Sequence, residues 1–186
     1  MSIKLRTAGP EDQDFLYSVY ASTRADEMRL AQWDIGQAEA FLRMQFDAQR
    51  AFYAEHYPNA RYQIILLDDQ RVGRLYVDRW ASEIRIMDIA LLPAYRGRGI
   101  GSTLLNTVFE EARASDLPVT IHVERFNPAL RWYAGLGFRQ QEDKGVYLLM
   151  AWDPQHTERT AYAGQATQFQ FSASPQPAVS HPAYGQ

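Results

Sequence analysis

The chain has 186 residues, enough for one full domain and too few for two of ordinary size. Its 19 basic and 22 acidic residues leave a formal charge of −3, which argues against nucleic acid or an anionic membrane as the main partner. The absence of cysteine excludes disulfides, thiolate metal sites and a cysteine nucleophile.

The N-terminal stretch MSIKLRTAGPEDQDF has no apolar signal core and no segment approaches a membrane span, so a cytoplasmic location is expected. Ile3 to Arg6 reads as a short strand. Pro10, Glu11 and Asp12 are helix-start residues, and Phe15, Leu16, Val19 and Tyr20 recur at helical spacing, with an end expected in Ala21-Ser22-Thr23. A longer helix is expected from Gly36 to about Tyr57, where Phe41, Leu42, Gln45, Phe46, Gln49, Phe52, Tyr53 and His56 share one face. Pro58-Asn59 breaks it.

Arg61 to Leu67, a turn at Asp68-Asp69-Gln70 and Arg71 to Trp80 read as a hairpin. Glu83 to Leu92 follows as a buried central strand, with Ile84, Ile86, Ile89, Leu91 and Leu92 apolar and Pro93 ending it. A glycine-rich turn then opens into an amphipathic helix over Thr103 to Ser115. Leu117 to Glu124 is expected to run parallel to the central strand, since a crossover helix separates the two. A short helix over Ala129 to Ala134 comes next, then two last strands, Phe138 to Gln141 and Val146 to Trp152. From residue 154 onward the only formal charges are Glu158 and Arg159, among many Ala, Gln, Ser, Gly and Pro. The division expected is a domain over 1–153 and a low-complexity tail over 154–186, with too little apolar surface to fold alone. Phe169 and Phe171 in that tail are candidates to dock on a sheet edge.

The turn Arg96-Gly97-Arg98-Gly99-Ile100-Gly101, after a strand and before a helix, is suited to phosphate. Backbone N–H groups converge there, the helix dipole adds partial positive charge, and glycine permits positive φ and close approach. A dinucleotide fingerprint fails at position 102, which is Ser, and a Walker A loop fails for want of a lysine. What fits is R-x-x-G-x-G, from Arg96 through Gly99 to Gly101. This resembles the acetyl-CoA pyrophosphate loop of the GNAT superfamily of N-acetyltransferases. Asn127, Tyr133 and Leu136-Gly137-Phe138 resemble that family's second signature, one helix and one strand further on. The resemblance covers roughly residues 3–152 and leaves the tail outside.

The resemblance implies an α/β (α+β) GNAT fold: a mixed, mostly antiparallel sheet, splayed at the acetyl-CoA site and flanked by helices. It implies acetyl-CoA as acyl donor, with no metal. The backbone of Ile89 and Leu91 would pair with the pantetheine arm, the stretch Arg96, Gly97, Arg98, Gly99, Ile100, Gly101, Ser102 and Thr103 would hold the pyrophosphate, with the amides of Arg98 through Thr103 as donors, and Asn127 would bond the pantetheine or order its loop. Tyr133 would protonate the leaving thiolate. Glu83 shares the strand alternation of Arg85, Met87, Ile89 and Leu91 and is the first candidate base. Asp88 lies on the other alternation unless a bulge re-aims it, and is either a structural partner or a base with a raised pKa. Arg24, Glu27, Trp33 and Tyr53 lie where the family shapes its acceptor pocket. His122, on a strand, reads as a packed core histidine, and His156 and His181 form no metal-spaced set.

The expected reaction is transfer of acetyl to a primary amine in a ternary complex, since no cysteine is present to carry an acyl-enzyme. The alternative is a non-catalytic acyl-CoA-binding or protein-interaction module, with the tail as docking segment. A longer donor such as succinyl-CoA would need a basic residue at the acyl end. The partners expected are a small-molecule or peptide amine, neither nucleic acid nor membrane, and a homodimer stays open.

Overall fold

The computed structural model describes residues 2–30 and 34–155. Strands β1 (Ile3–Thr7), β2 (Arg61–Leu67), β3 (Gln70–Arg79), β4 (Ile84–Leu91), β5 (Val119–Glu124), β6 (Arg139–Lys144) and β7 (Tyr147–Trp152) form one sheet. Its order is β1-β2-β3-β4-β5-β7-β6. Only β4 and β5 run parallel; every other neighbouring pair is antiparallel. Among the described residues the helices are α1 (Gln13–Leu30), α2 (Ile35–His56), α3 (Ile100–Ser115) and α4 (Leu130–Gly135). No described helix is long and apolar enough to cross a membrane. Residues 156–186, with Phe169 and Phe171, lie outside the described residues.

Helix α1 continues past its expected end at Thr23. The Ser22 and Thr23 hydroxyls fold back on the carbonyls of Val19 and Tyr20, both at 2.7 Å, so two residues read as a stop are absorbed into the helix. Helix α2 starts on Asp34, whose carboxylate accepts from Gln37 N at 2.8 Å in a capping box. Helix α3 begins at Ile100, three residues before the expected Thr103, so its first turn is built from the glycine-rich run itself.

The sheet carries a core on each face. On one side α3 buries Ile100, Leu104, Leu105, Val108, Phe109 and Ala112, a helical spacing, against Leu75, Val77, Ile84, Ile86, Val119 and Ile121. On the other, α1 and α2 pack Leu16, Tyr20, Leu42 and Phe46 over Ile64 and Tyr76.

One charged group anchors the start of α1. Asp12 is fully buried and accepts from Arg6 at 2.8 Å, from Arg71 at 3.2 Å and from Gly9 N at 2.8 Å. The Arg6 hydrogen bond, ahead of the other contacts, holds its carboxyl far below the usual carboxylate range. A depressed folded pKa means the stabilisation is present above the unfolded value of about 3.9 and is lost as pH falls below it. Asp12→Ala should therefore cost about 1.5–3 kcal/mol at pH 7, toward the lower end because both arginines are partly exposed. Urea midpoints measure this, and the gap from wild type should narrow toward pH 3.

Candidate active site

The site is an opening in the sheet. β4 pairs with β5 only through Ile84–Val119, Arg85–Thr120 and Ile86–Ile121, and past Ile86 the two parallel strands separate. Opposite, β4 stays paired with β3 as far as Leu91, so its other edge is free along the opening. Leu92 N donates to Val72 O on the β3 side. Counting back by two along the strand, the peptide groups of Leu91 and Ile89 face the free edge. Leu91 O there accepts from Arg96 Nε at 2.8 Å, and Arg96 also reaches Ser22 O at 3.3 Å, so this arginine ties the turn to β4 and α1.

A bulge at Met87 reorders the faces of β4. Tyr76 meets Asp88 while Val77 meets Ile86, leaving Met87 as the extra residue. Ile84 and Ile86 point into the α3 core, and beyond the bulge Ile89 and Leu91 join that same side. Met87 packs on the α1–α2 side. The expectation that Glu83 shares a face with Ile89 and Leu91 is thereby corrected, and Asp88 is the carboxylate the bulge turns toward the α1–α2 face.

The turn after β4 has the shape a diphosphate requires. Gly97 and Gly99 take φ of +71° and +78°, and a Cβ on either would meet nothing within 4 Å. Gly101 has ordinary φ; there a Cβ would lie 3.1 Å from the Trp132 indole, so packing and not backbone conformation demands glycine. The helix start leaves the N–H groups of Ile100, Gly101 and Ser102 without intrahelical partners. Thr103 is different: its N–H donates to Gly99 O at 2.9 Å and its hydroxyl to the same oxygen at 3.1 Å. The free amides end at Ser102, one residue earlier than expected. Arg98 lies over the Tyr95 ring at 5.3 Å. These features fit a pyrophosphate-bearing acyl donor.

Helix α4 closes the other wall. Asn127 orders its start, with Ala129 N donating to Asn127 Oδ1 at 2.9 Å. Trp132 Nε1 donates to Ser102 Oγ at 3.1 Å, locking α4 to the first turn of α3. Tyr133 is buried beside Trp132 and Phe138, with ring centroids at 4.8 and 5.6 Å. Burial, and then the charge of Asp88, push its phenol above the ordinary value.

Asp88 is the group these elements share. Arg74 Nη2 donates to it at 2.5 Å, and its charge also reaches Tyr53, whose phenol burial raises strongly. Arg74 is itself buried, between Tyr20 and Tyr76. Glu83 lies at the closed end of β4, joined to Arg85 and accepting from Thr120 Oγ1 at 2.9 Å. Arg24 pairs with Glu124 at 3.1 Å and so links α1 to β5 at the mouth. The Glu27 side chain and Trp33 lie outside the described residues. The opening thus brings together Tyr133, Asp88, Tyr53, the free edge at Ile89 and Leu91, and the glycine turn; it does not include Glu83. Sequence reasoning missed Trp132 and Arg74. The first is adjacent to Tyr133 in the signature run, and the second is a cation inside a buried strand, a position that calls for a carboxylate partner.

No curated protein sequence matches the chain. Solved structures match its fold. The PaiA N-acetyltransferase of Thermoplasma acidophilum, in complex with coenzyme A, is 18% identical over 82% of this chain and 99% of that one, with a TM-score of 0.63. An acetyltransferase of Thermus thermophilus is 21% identical over 82% and 97%, at 0.59. The ribosomal-protein-S18-alanine N-acetyltransferase of Escherichia coli is 14% identical over 91% and 100%, at 0.57. A sequence model of the acetyltransferase (GNAT) family matches residues 22–138, a span holding the opening, the glycine turn and α4, and the chain belongs to that family.

Proposed function

We propose that the protein moves the acetyl group of acetyl-CoA to a primary amine by direct attack in a ternary complex. One observation carries this reading. The free edge of β4 leads from the glycine turn to Asp88, and Tyr133 is near enough to feel that carboxylate.

The donor supplies an activated acyl carbon and a thiolate leaving group. The amides from Arg98 to Ser102 hold its diphosphate, and the peptide groups of Ile89 and Leu91 align its pantetheine arm. The Ile89 N–H meets the carbonyl oxygen as negative charge builds there. An alkyl amine has a pKa of about 10.4 and must lose a proton to attack. Asp88, whose partner is Arg74, takes that proton through an ordered water because it lies beyond the last β4–β5 pair, whereas Glu83 lies at the closed end of the strand. As the new C–N bond forms and the C–S bond breaks, Tyr133 gives its hydroxyl proton to sulfur, the second proton shed by the nitrogen returns through water to the tyrosine oxygen, and Asp88 passes its own proton to solvent. Tyr53 and Arg24 line the acceptor side.

The test is thiol release from acetyl-CoA in the presence of an amine panel. Amine-dependent release is expected. No release with any amine, while coenzyme A still binds, would favour the non-catalytic acyl-CoA-binding module instead.

A further inference from the structure

A chain of polar groups on the sheet face away from α3 ends where the opening begins. Glu83 pairs with Arg85, and Thr120 Oγ1 accepts from Arg85 Nε at 2.7 Å while donating to Glu83 at 2.9 Å. Arg85 also lies over the Trp80 ring at 4.9 Å, so the guanidinium is fixed in place. Its Nη1 is 3.0 Å from His122 Nδ1. Arginine has no acceptor atom, so Nδ1 supplies the lone pair and the proton of the neutral ring sits on Nε2. The sequence expectation of a packed core histidine omits this: Nε2 is buried, and no described residue accepts from it.

The position of that donor is set by the sheet. His122 follows Ile121, the last β5 residue paired with β4. Ile121 and Val123 face the α3 core, so His122 faces the other way, on the side to which the bulge turns Asp88. The two residues flank the opening from opposite strands. Burial, then the charges of Arg85 and Lys144, hold the imidazole neutral down to a pKa of about 4. At working pH the ring is therefore a fixed N–H donor and not a base.

We infer that His122 Nε2–H recognises an oxygen next to the reacting nitrogen, so that the acceptor is a carbonyl-bearing amine of the amino-acid-amide or peptide type and not a plain alkylamine or polyamine. This rests on the acetyl-transfer reading above. A buried donor without a partner is costly, and an acceptor carbonyl supplies the partner that an alkylamine lacks.

The two acceptor types differ in amine pKa, so the cleanest comparison uses their neutral products. Leucinamide and isoamylamine serve as the acceptors, and N-acetyl-leucinamide and N-isoamylacetamide as the products. Calorimetry on the full chain with coenzyme A present should show N-acetyl-leucinamide, which alone carries a carbonyl of the acceptor's own beside the shared acetyl group, binding about 10- to 100-fold more tightly, the worth of one buried donor. His122→Phe should bring the two affinities together, and His122→Gln, which keeps an N–H donor, should restore most of the difference. In turnover, the leucinamide-to-isoamylamine ratio of kcat/KM should fall by a similar factor in His122→Phe, through KM and not kcat. Coenzyme A affinity should be unchanged, which reports an intact fold. Equal product affinities in the wild type, or a preference that survives His122→Phe, would overturn the inference. Absence of thiol release with every amine, beside an intact product preference, would instead remove the acetyl-transfer reading.

Discussion

Gly99→Val should raise the dissociation constant for coenzyme A about 30-fold or more in a protein that still folds. Gly99 is the N-cap of α3, at φ 78° and ψ −5°, and a Cβ there meets nothing within 4 Å. The cost is therefore conformational: a β-branched side chain in the left-handed region is strained by about 1–3 kcal/mol. The chain relieves that strain by rotating the peptides on either side, which re-aims the amides of Ile100, Gly101 and Ser102 and moves the Gly99 carbonyl that holds Thr103. Each oriented amide is worth about 0.3–1 kcal/mol toward an anion, so the loss of two or three amounts to roughly 2 kcal/mol, or about 30-fold. Gly101→Val acts by another route. Its Cβ would press on Trp132, whose indole also bonds Ser102 and adjoins Tyr133, so kcat should suffer along with binding. Calorimetric titration with coenzyme A reads the binding loss in each, and kcat at saturating donor separates the two. Unchanged affinity in a folded Gly99→Val would contradict the assignment of this turn to the diphosphate.

What the sequence makes legible follows from how local each signal is. β2 is readable residue for residue, because its apolar run is bounded by the Asp68-Asp69 turn, where both residues take positive φ. The parallel pairing of β4 and β5 is readable because a helix intervenes. The bulge at Met87 is not, since it exists only in the pairing of β4 with β3, and nothing in IRIMDIAL announces an extra residue. That single step, which the sequence offers only as a possibility at Asp88, brings Asp88 to the face that Glu83 and Arg85 share and carries Ile89 and Leu91 to the other. The same limit applies to Thr103, whose N–H is consumed because α3 starts at Ile100, and to Gly101, whose lack of a side chain serves a tryptophan 31 residues away. For the bulge and for Gly101 the decisive partner is distant in sequence, while for Thr103 it is the exact start of the helix, and in none of them does the side chain alone give a sign of it.

Tyr133→Phe should lower kcat by about 10²–10⁴, the usual worth of a positioned proton donor, and leave coenzyme A affinity unaltered. The variant keeps the ring that packs against Trp132 and Phe138, so the urea midpoint should stay near that of the wild type. Loss of rate without loss of stability is the signature that separates a proton donor from a packed tyrosine. The direction of its pKa adds a second check. Burial and the Asp88 carboxylate both oppose the phenolate, so the hydroxyl stays protonated beyond the ordinary phenol value of about 10. No alkaline limb assignable to Tyr133 should then appear in the kcat profile below pH 10. Asp88→Asn removes one of the two causes, so the phenol should titrate at lower pH in that variant while the amine loses the group that takes its proton. A slower enzyme whose Tyr133 absorbance titrates earlier than in the wild type is therefore the combined result expected on the proposed mechanism, in which the carboxylate that keeps the tyrosine in its acid form also receives the amine proton.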